Sequence, residues 1–150
     1  MVNQLSAYHS LSQWYIVAED GVETQLPIVS LNPKDNDWVT NKTIYHWRQF
    51  LKRALLTQRG WKSDYSDTPL KVTGHMHEGI VSRAVVPKSI WWHYYIYAPP
   101  NCFLLLPEEH SPQPPSRKWC VERAYALYGR EVVREWFYTL PFKVIPFQLP

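Results

Sequence analysis

The chain has 150 residues but only two cysteines, Cys102 and Cys120. Two thiols cannot form a disulfide framework or a zinc site built of cysteine alone. Small domains that are stabilised by several disulfide bonds or by a four-cysteine zinc site are therefore excluded. The fold must therefore be held together by a hydrophobic core. Hydrophobic residues make up 45% of the sequence, with 8 Trp and 10 Tyr among them, which is enough for a single domain spanning residues 1–150.

Neither a membrane segment nor a secretory signal is found in the sequence. No stretch approaches the ~18 apolar residues that a membrane helix requires. The first residues lack the basic start and the apolar run of a signal peptide. The sequence therefore predicts a soluble, cytoplasmic protein with no membrane partner.

Strand-forming residues and turn signals alternate in the first 40 residues, which predicts a β-hairpin. Its strands are residues 13–17 and 24–30, separated by a turn at residues 19–21 (Glu-Asp-Gly). The following segment, 43–58, predicts an amphipathic helix with Thr40 or Thr43 as its N-cap and Gly60 after its end. Its apolar stripe consists of Ile44, Trp47, Phe50, Leu51, Ala54 and Leu55.

The rest of the chain is predicted to contain short strands followed by helices. Positions 71–77 alternate in polarity, and positions 90–97 are β-branched or aromatic, so both segments favour strands. Beyond a proline-rich linker, residues 116–128 and 130–138 have helical spacing, with Ser116 as the first N-cap. The predicted fold class is α+β.

Positive charge is concentrated in one segment of the chain. No acidic residue occurs between positions 40 and 63, although the formal net charge of the whole chain is only +3. Such a block beside Tyr45, Trp47 and Trp61 is typical of a surface that contacts a phosphate backbone, although a solvated helix face would look the same. The six cations are Lys42, Arg48, Lys52, Arg53, Arg59 and Lys62.

Three segments, taken in order, resemble the HNH endonuclease family. They are residues 74–79 (Gly-His-Met-His-Glu-Gly), residues 101–106 (Asn-Cys-Phe-Leu-Leu-Leu) and His110, nine positions after Asn101. Members of that family share the ββα-metal fold, in which two strands and a helix hold one divalent ion. The resemblance implies a ββα-metal core over residues 45–111. An N-terminal hairpin and helix precede it, and the flanks 1–40 and 116–150 are extensions, the second of them helical.

The resemblance also implies that a structural zinc site has been lost. Many members carry two Cys-x-x-Cys pairs around the core, the first within Gly-Trp-x-Cys-x-Tyr-Cys. Residues 60–66 read Gly-Trp-Lys-Ser-Asp-Tyr-Ser, and the second pair would lie five and eight positions after Asn101. None of these side chains is a thiolate, so no structural zinc is expected, and buried aromatic residues are expected to supply the missing stability. The four replaced positions are Ser63, Ser66, Leu106 and Glu109.

The catalytic roles follow from the resemblance. In the family a His on the first strand is the general base, the Asn steadies the loop that carries it, and the final His binds the metal. His77, Asn101 and His110 occupy these positions. A neutral imidazole accepts a proton from water near pH 7, and a divalent ion, Mg²⁺ or Mn²⁺, stabilises charge on the phosphate.

The remaining metal ligand is left open by the sequence. Family members usually have an Asp or His ligand beside the base, but Met76 occupies that position and is no ligand for a hard cation. His75, which shares a strand face with His77, or Glu78 would then complete the metal shell. In the alternative assignment His77 is the ligand and Glu78 is the base.

The implied function is a metal-dependent DNA endonuclease or nickase of phages, restriction systems or mobile elements, acting on double-stranded DNA in a bacterial or phage-infected cell. Two other classes fit the sequence, a catalytically decayed nucleic-acid-binding protein and a plain protein-interaction domain. A homodimer is compatible with the sequence, although nothing marks a dimer face. The residues expected to contact DNA are Arg48, Lys52, Arg53, Arg59, Lys62 and Arg83.

Overall fold

The structure is a computed structural model that describes residues 7–10, 13–17, 23–25, 33–144 and 147–150, with side chains from Lys34 onward. Helices and small antiparallel sheets alternate along the chain, so the predicted α+β class is confirmed. Among these residues there is no helix with the length and apolar character needed to cross a membrane.

The N-terminal region forms a three-stranded antiparallel sheet in the order β1-β2-β3. The strands are β1 (Ala7–Ser10), β2 (Gln13–Val17) and β3 (Glu23–Gln25). The predicted hairpin is confirmed as the pairing of β2 with β3, whereas β1 was not predicted. The predicted turn at 19–21 and residues 26–30 of the second predicted strand lie outside the described residues.

Helix α1 (Asn41–Gln58) follows the predicted apolar stripe closely. The Thr40 hydroxyl accepts a hydrogen bond from the Thr43 backbone N–H, and the Thr43 hydroxyl accepts one from Thr40, which closes a capping box. Gly60, at φ +70°, takes the chain out of the helix. Phe50 differs from the prediction, since its ring is 45% exposed and stacks on Trp47 rather than entering the core.

The central sheet consists of two antiparallel strands, β4 (His75–Glu78) and β5 (Cys102–Leu105). Strand β4 starts later than predicted, because a turn closed by a hydrogen bond from the Gly74 N–H to the Lys71 carbonyl precedes it. All four side chains of β5 are buried, so this strand runs through the core. His75 is paired with Leu105, and Glu78 with Cys102, at opposite ends of the pair.

The predicted strand at 90–97 is wrong, because residues Ile90–Tyr95 form a 3₁₀ helix. Side chains three positions apart are eclipsed in such a helix, and this spacing buries Trp91 and Tyr94 together. Trp92 stacks on Trp91 with ring centroids 4.2 Å apart. The segment is thus ordered by aromatic packing, and it has no partner strand among the described residues.

Three helices follow β5: α2 (Pro107–His110), α3 (Arg117–Tyr128) and α4 (Arg130–Tyr138). Helix α2 starts at Pro107. The predicted N-cap at Ser116 and the predicted division of the C-terminal segment into two helices, with Gly129 between them, are confirmed. Helix α2 is a single turn. Buried side chains of α1, both central strands, α3 and α4 form one contiguous core, and α2 lies against β4 and β5.

Candidate functional site

The candidate site lies between β4 and α2. Successive side chains of a strand point to opposite faces, so His75 and His77 share one face while Met76 and Glu78 share the other. Met76 is buried in the core, whereas both histidines are half-buried. Helix α2 lies next to the histidine face, because its Pro107 starts a helical turn directly after β5.

Three imidazole rings converge at this place. The Nδ1 atoms of His75 and His110 are 3.0 Å apart, and their rings meet edge to face at 82°. The ring centroid of His77 lies 5.0 Å from that of His110. The structure therefore brings together the histidines that were singled out in two segments more than thirty residues apart.

The electrostatic environment favours the neutral form of His77 and of His110. Burial, followed by repulsion from His110, lowers the pKa of His77 to about 4. Burial and the neighbouring His75 also lower the pKa of His110, and Glu78 offsets part of this effect. At pH 7 the His77 imidazole is consequently uncharged. One of its ring nitrogens is unprotonated and can accept a proton, as a general base must.

The Glu78 carboxylate is paired with a cation of helix α1. It lies 4.0 Å from a terminal guanidinium nitrogen of Arg48, and the Glu78 side chain is only 13% exposed. The guanidinium of Arg48 lies over the ring of buried Tyr97, 5.2 Å from the ring centroid. Glu78 thus lies against a cation, while its negative charge still acts on His110.

Asn101 is fully buried, and its side-chain amide makes four hydrogen bonds. Its Oδ1 accepts from the backbone N–H groups of Ile80 and Val81 at 2.9 and 2.8 Å. Its Nδ2 donates to the carbonyls of Val81 and Ile96 at 2.9 and 2.8 Å. Asn101 thus fixes the loop that directly follows β4.

The four positions expected to have lost zinc-binding cysteines belong to two segments that are in contact. The Ser63 hydroxyl donates to Glu109 Oε1 at 2.5 Å and accepts from the N–H groups of Tyr65 and Ser66. Glu109 Oε1 also accepts from the Leu106 N–H at 2.8 Å. A hydrogen-bonded cluster therefore joins residues 63–66 to residues 106–109.

The carboxylate at the centre of this cluster is stabilised in its charged form. Burial by itself raises the pKa of Glu109, but the hydrogen bonds from the Ser63 and Ser66 hydroxyls and from the Leu106 N–H outweigh this effect. The net result is a pKa below the ordinary value. Glu109 is consequently ionised at neutral pH and holds both segments together through charge-assisted hydrogen bonds.

The structure corrects the prediction that Arg59 contacts DNA. Its side chain is only 2% exposed and forms an ion pair of 2.7 Å with Asp64. The guanidinium also donates to the carbonyls of Cys102 and Pro99 and to the Tyr128 hydroxyl. All these partners lie inside the fold, because α1 ends where β5 and α3 meet. Arg59 is a structural cation.

The other predicted DNA-contacting cations are spread over the surface. Arg53, Lys62 and Arg83 are exposed. Arg48 and Lys52 are half-buried on the side of α1 that faces β4, and both line a cavity together with His75 and His110. The structure thus places two of the cations directly beside the histidines.

Sequence reasoning missed the role of Asp64. Its Oδ2 accepts from the Leu104 N–H, its own N–H donates to the Leu104 carbonyl, and its carboxylate pairs with Arg59 and lies 3.7 Å from Arg123. This acid therefore extends the hydrogen bonding of β5. The sequence did contain a signal for this role. Asp64 is the first acidic residue after a long segment without acids, and it lies between the replaced positions Ser63 and Ser66.

A metal site of three protein ligands is not assembled in the described part of the chain. Within it, no group of three or more His, Cys, Asp or Glu side chains is arranged to hold an ion. The pair formed by His75 and His110 is the closest approach of two ligand nitrogens at the site. Any ion bound there would take its other ligands from water or from a bound phosphate.

Comparison with known proteins gives no relative. No protein-family model, no curated protein and no solved structure matches the chain. Interpretation of the site therefore depends on its geometry and chemistry.

Proposed function

We propose that the protein is a metal-dependent DNA endonuclease or nickase whose site is an HNH-like ββα-metal unit formed by β4, β5 and α2. The observation that carries the proposal is the convergence of His75, His77 and His110 beside a loop that Asn101 fixes by four hydrogen bonds. Each residue was expected at this kind of site for its place in the sequence. Their proximity is independent support for that expectation.

The contact between residues 63–66 and 106–109 also supports the proposal. A relative with zinc would need these two segments to meet, since its four cysteines would come from them. Here the Ser63 hydroxyl donates a hydrogen bond of 2.5 Å to Glu109 Oε1. A hydrogen-bonded carboxylate thus joins the two segments where a structural zinc ion would join them in such a relative. The segments keep α2 next to β4 without zinc.

In the proposed reaction His77 accepts the proton of the attacking water. It lies on the same strand face as His75, its ring is next to that of His110, and it is uncharged at pH 7. Glu78 is the less suitable base, because its carboxylate is paired with the Arg48 guanidinium. His75 and His110 would hold the metal, and Asn101 positions the loop after β4.

The histidine pair fits two neighbouring ligands of one ion. The Nδ1 atoms of His75 and His110, 3.0 Å apart, would hold an ion as two of its ligands. Two imidazoles favour a transition ion over Mg²⁺, which prefers oxygen ligands. An ion bound there supplies positive charge that stabilises the phosphate and the leaving oxygen.

Plasmid nicking tests this proposal. Supercoiled DNA is incubated with the protein and Mg²⁺, Mn²⁺, Co²⁺ or Ni²⁺, with EDTA as the control for metal dependence. We expect nicked product with at least one ion, none with EDTA, and loss of nicking in His110→Ala. The absence of nicking with every ion, or His110→Ala nicking as fast as the unmodified protein, would overturn the proposal.

A second candidate is a nucleic-acid-binding protein whose nuclease site has decayed. It is favoured by the absence of a three-ligand group in the described part of the chain, together with burial of Met76 beside the base. Calorimetric titration with Ni²⁺ or Co²⁺ separates the two. The nuclease is expected to bind one ion per chain and to lose binding in His110→Ala, whereas the decayed protein would bind DNA but no ion at that site.

A further inference from the structure

A cavity of about 240 Å³ opens beside the histidine pair, between α1 and β4. One wall is formed by helix α1 and the other by the start of β4 and by α2. No acidic side chain lines it. The lining residues are Arg48, Gln49, Lys52, Gly74, His75, Met76 and His110.

The two cations of this cavity retain hydrogen-bond donors for a ligand. The Nε of Arg48 is buried and has no hydrogen-bond partner within the described residues, and the ion pair of this side chain with Glu78, at 4.0 Å, is too long to be a hydrogen bond. Lys52 donates one hydrogen bond, of 2.7 Å, to the Val72 carbonyl, and an ammonium has three donors. Both side chains line the cavity, so the ammonium and guanidinium N–H groups that are not bonded within the protein are available to an acceptor there.

The two cations also repel each other. Burial, followed by the charge of Arg48, lowers the pKa of Lys52. An anion bound between them would relieve this repulsion and would meet donors from both sides. The two positive charges and the absence of an acidic side chain in the lining therefore favour binding of an anion in this cavity.

We infer that this cavity binds one backbone phosphate of DNA, with Arg48 and Lys52 as its ligands, and presents that phosphate to the histidine pair. The inference rests on the proposed function in one respect, namely that the ligand is DNA. It adds that Arg48 and Lys52 are the two predicted cations that contact the phosphate. Small-molecule pockets measure about 300–1,000 Å³, so a cavity of about 240 Å³ suits a phosphate group better than a whole nucleotide.

A contact of this kind carries no sequence information. Phosphate contacts position a protein on DNA, whereas contacts to base edges read its sequence. The cavity therefore contributes affinity that depends on salt but not on the bases. Because each neutralised phosphate releases counterions, loss of one such contact lowers the slope of log affinity against log salt by about one.

The test is fluorescence anisotropy with two duplexes of unrelated sequence, titrated at several salt concentrations in EDTA so that no cleavage occurs. Arg48→Gln and Lys52→Gln are compared with Lys42→Gln, which removes an exposed charge from the same helix outside the cavity. We expect each cavity variant to lower the salt slope on both duplexes, and the two changes combined to lower it by about one. Lys42→Gln should keep the slope, and Arg48→Lys should restore most of the affinity.

Different results separate this inference from the proposed function. If the plasmid is nicked but both cavity variants keep the unmodified salt slope, the phosphate cavity is wrong and the nuclease stands. If no ion supports nicking but the two slopes fall as expected, the DNA contact stands without the catalysis. An equal effect of Lys42→Gln, or effects confined to one duplex sequence, would also overturn the inference.

Discussion

Single side chains decide whether the candidate site keeps its shape. Asn101 satisfies two backbone N–H groups and two carbonyls in the buried loop region around β4. Glu109 joins two chain segments through its carboxylate. The sequence indicated that both positions matter, but the number and direction of their hydrogen bonds depend on the tertiary contacts, which the sequence pattern does not contain.

Asn101→Ala is expected to lower the free energy of unfolding by about 3 kcal/mol, because the N–H groups of Ile80 and Val81 become buried donors without acceptors. Urea unfolding followed by circular dichroism measures this change. Asn41→Ala, at an exposed position of α1, is the matched control and should change it by less than about 0.5 kcal/mol. Equal stabilities of the two variants would contradict the role given to Asn101.

Glu109→Gln is expected to destabilise the protein by about 1 kcal/mol at pH 7, since charge-assisted hydrogen bonds from a partly solvated carboxylate are lost. The folded pKa of Glu109 lies below the ordinary 4.5. The stability difference is therefore complete above about pH 4.5 and vanishes as the pH falls through the folded pKa.

Urea unfolding at pH 7 and at pH 3 measures this dependence. Glu108→Gln, at the exposed neighbouring position, should match the unmodified protein at both pH values. A Glu109→Gln deficit of the same size at pH 3 would show that the carboxylate is not its cause.

At the scale of elements, the periodic segments were predictable and the irregular one was not. Helix α1 and the two C-terminal helices follow from their apolar spacing and caps, which act locally. Residues Ile90–Tyr95 have strand-like composition, yet form a 3₁₀ helix because burying Trp91 and Tyr94 side by side outweighs local propensity. The packing of α3 against the end of β4 was likewise not visible in the sequence.

Gly79, directly after β4, makes this packing of α3 possible. A Cβ atom at Gly79 would lie 2.9 Å from the Cys120 Cβ and from the Phe103 ring, and it would overlap the Cys120 sulfur. Gly79→Ala is therefore expected to cost about 1–3 kcal/mol of stability through overpacking, measured by thermal or urea unfolding.

A double-mutant cycle identifies the cause. Cys120→Ala removes the sulfur, so Gly79→Ala combined with Cys120→Ala should be more stable than the sum of the single effects indicates. If the changes in unfolding free energy of the two single variants simply add, the steric contact between a side chain at position 79 and Cys120 of α3 is not the cause.

At the scale of the whole molecule, a buried ion pair joins elements that are distant in the sequence. Arg59 at the end of α1 pairs with Asp64 and bonds to carbonyls at Pro99 and Cys102 and to the hydroxyl of Tyr128 in α3. The sequence suggested a surface charge here, because charge counting does not reveal which cation has a buried partner. This network fixes α1, which carries Arg48 and Lys52, relative to the histidine strand.

Asp64→Asn is expected to lower the free energy of unfolding by about 3–5 kcal/mol, because Arg59 is left as a buried cation without its carboxylate. Asp67→Asn in the same turn is exposed and should be nearly neutral. Denaturant unfolding of both variants makes the comparison. A small effect of Asp64→Asn would mean that the pair does not tie the elements together.

The central claim is that the imidazoles of β4 and α2 form a phosphodiesterase site with His77 as its base. Single-turnover nicking of supercoiled plasmid, at saturating protein and with the most active ion, tests it most directly by comparing His77→Ala with His46→Ala, an exposed histidine of α1. We predict a loss of at least about 100-fold for His77→Ala and an unchanged rate for His46→Ala. A His77→Ala rate within a few-fold of the unmodified protein would contradict the claim.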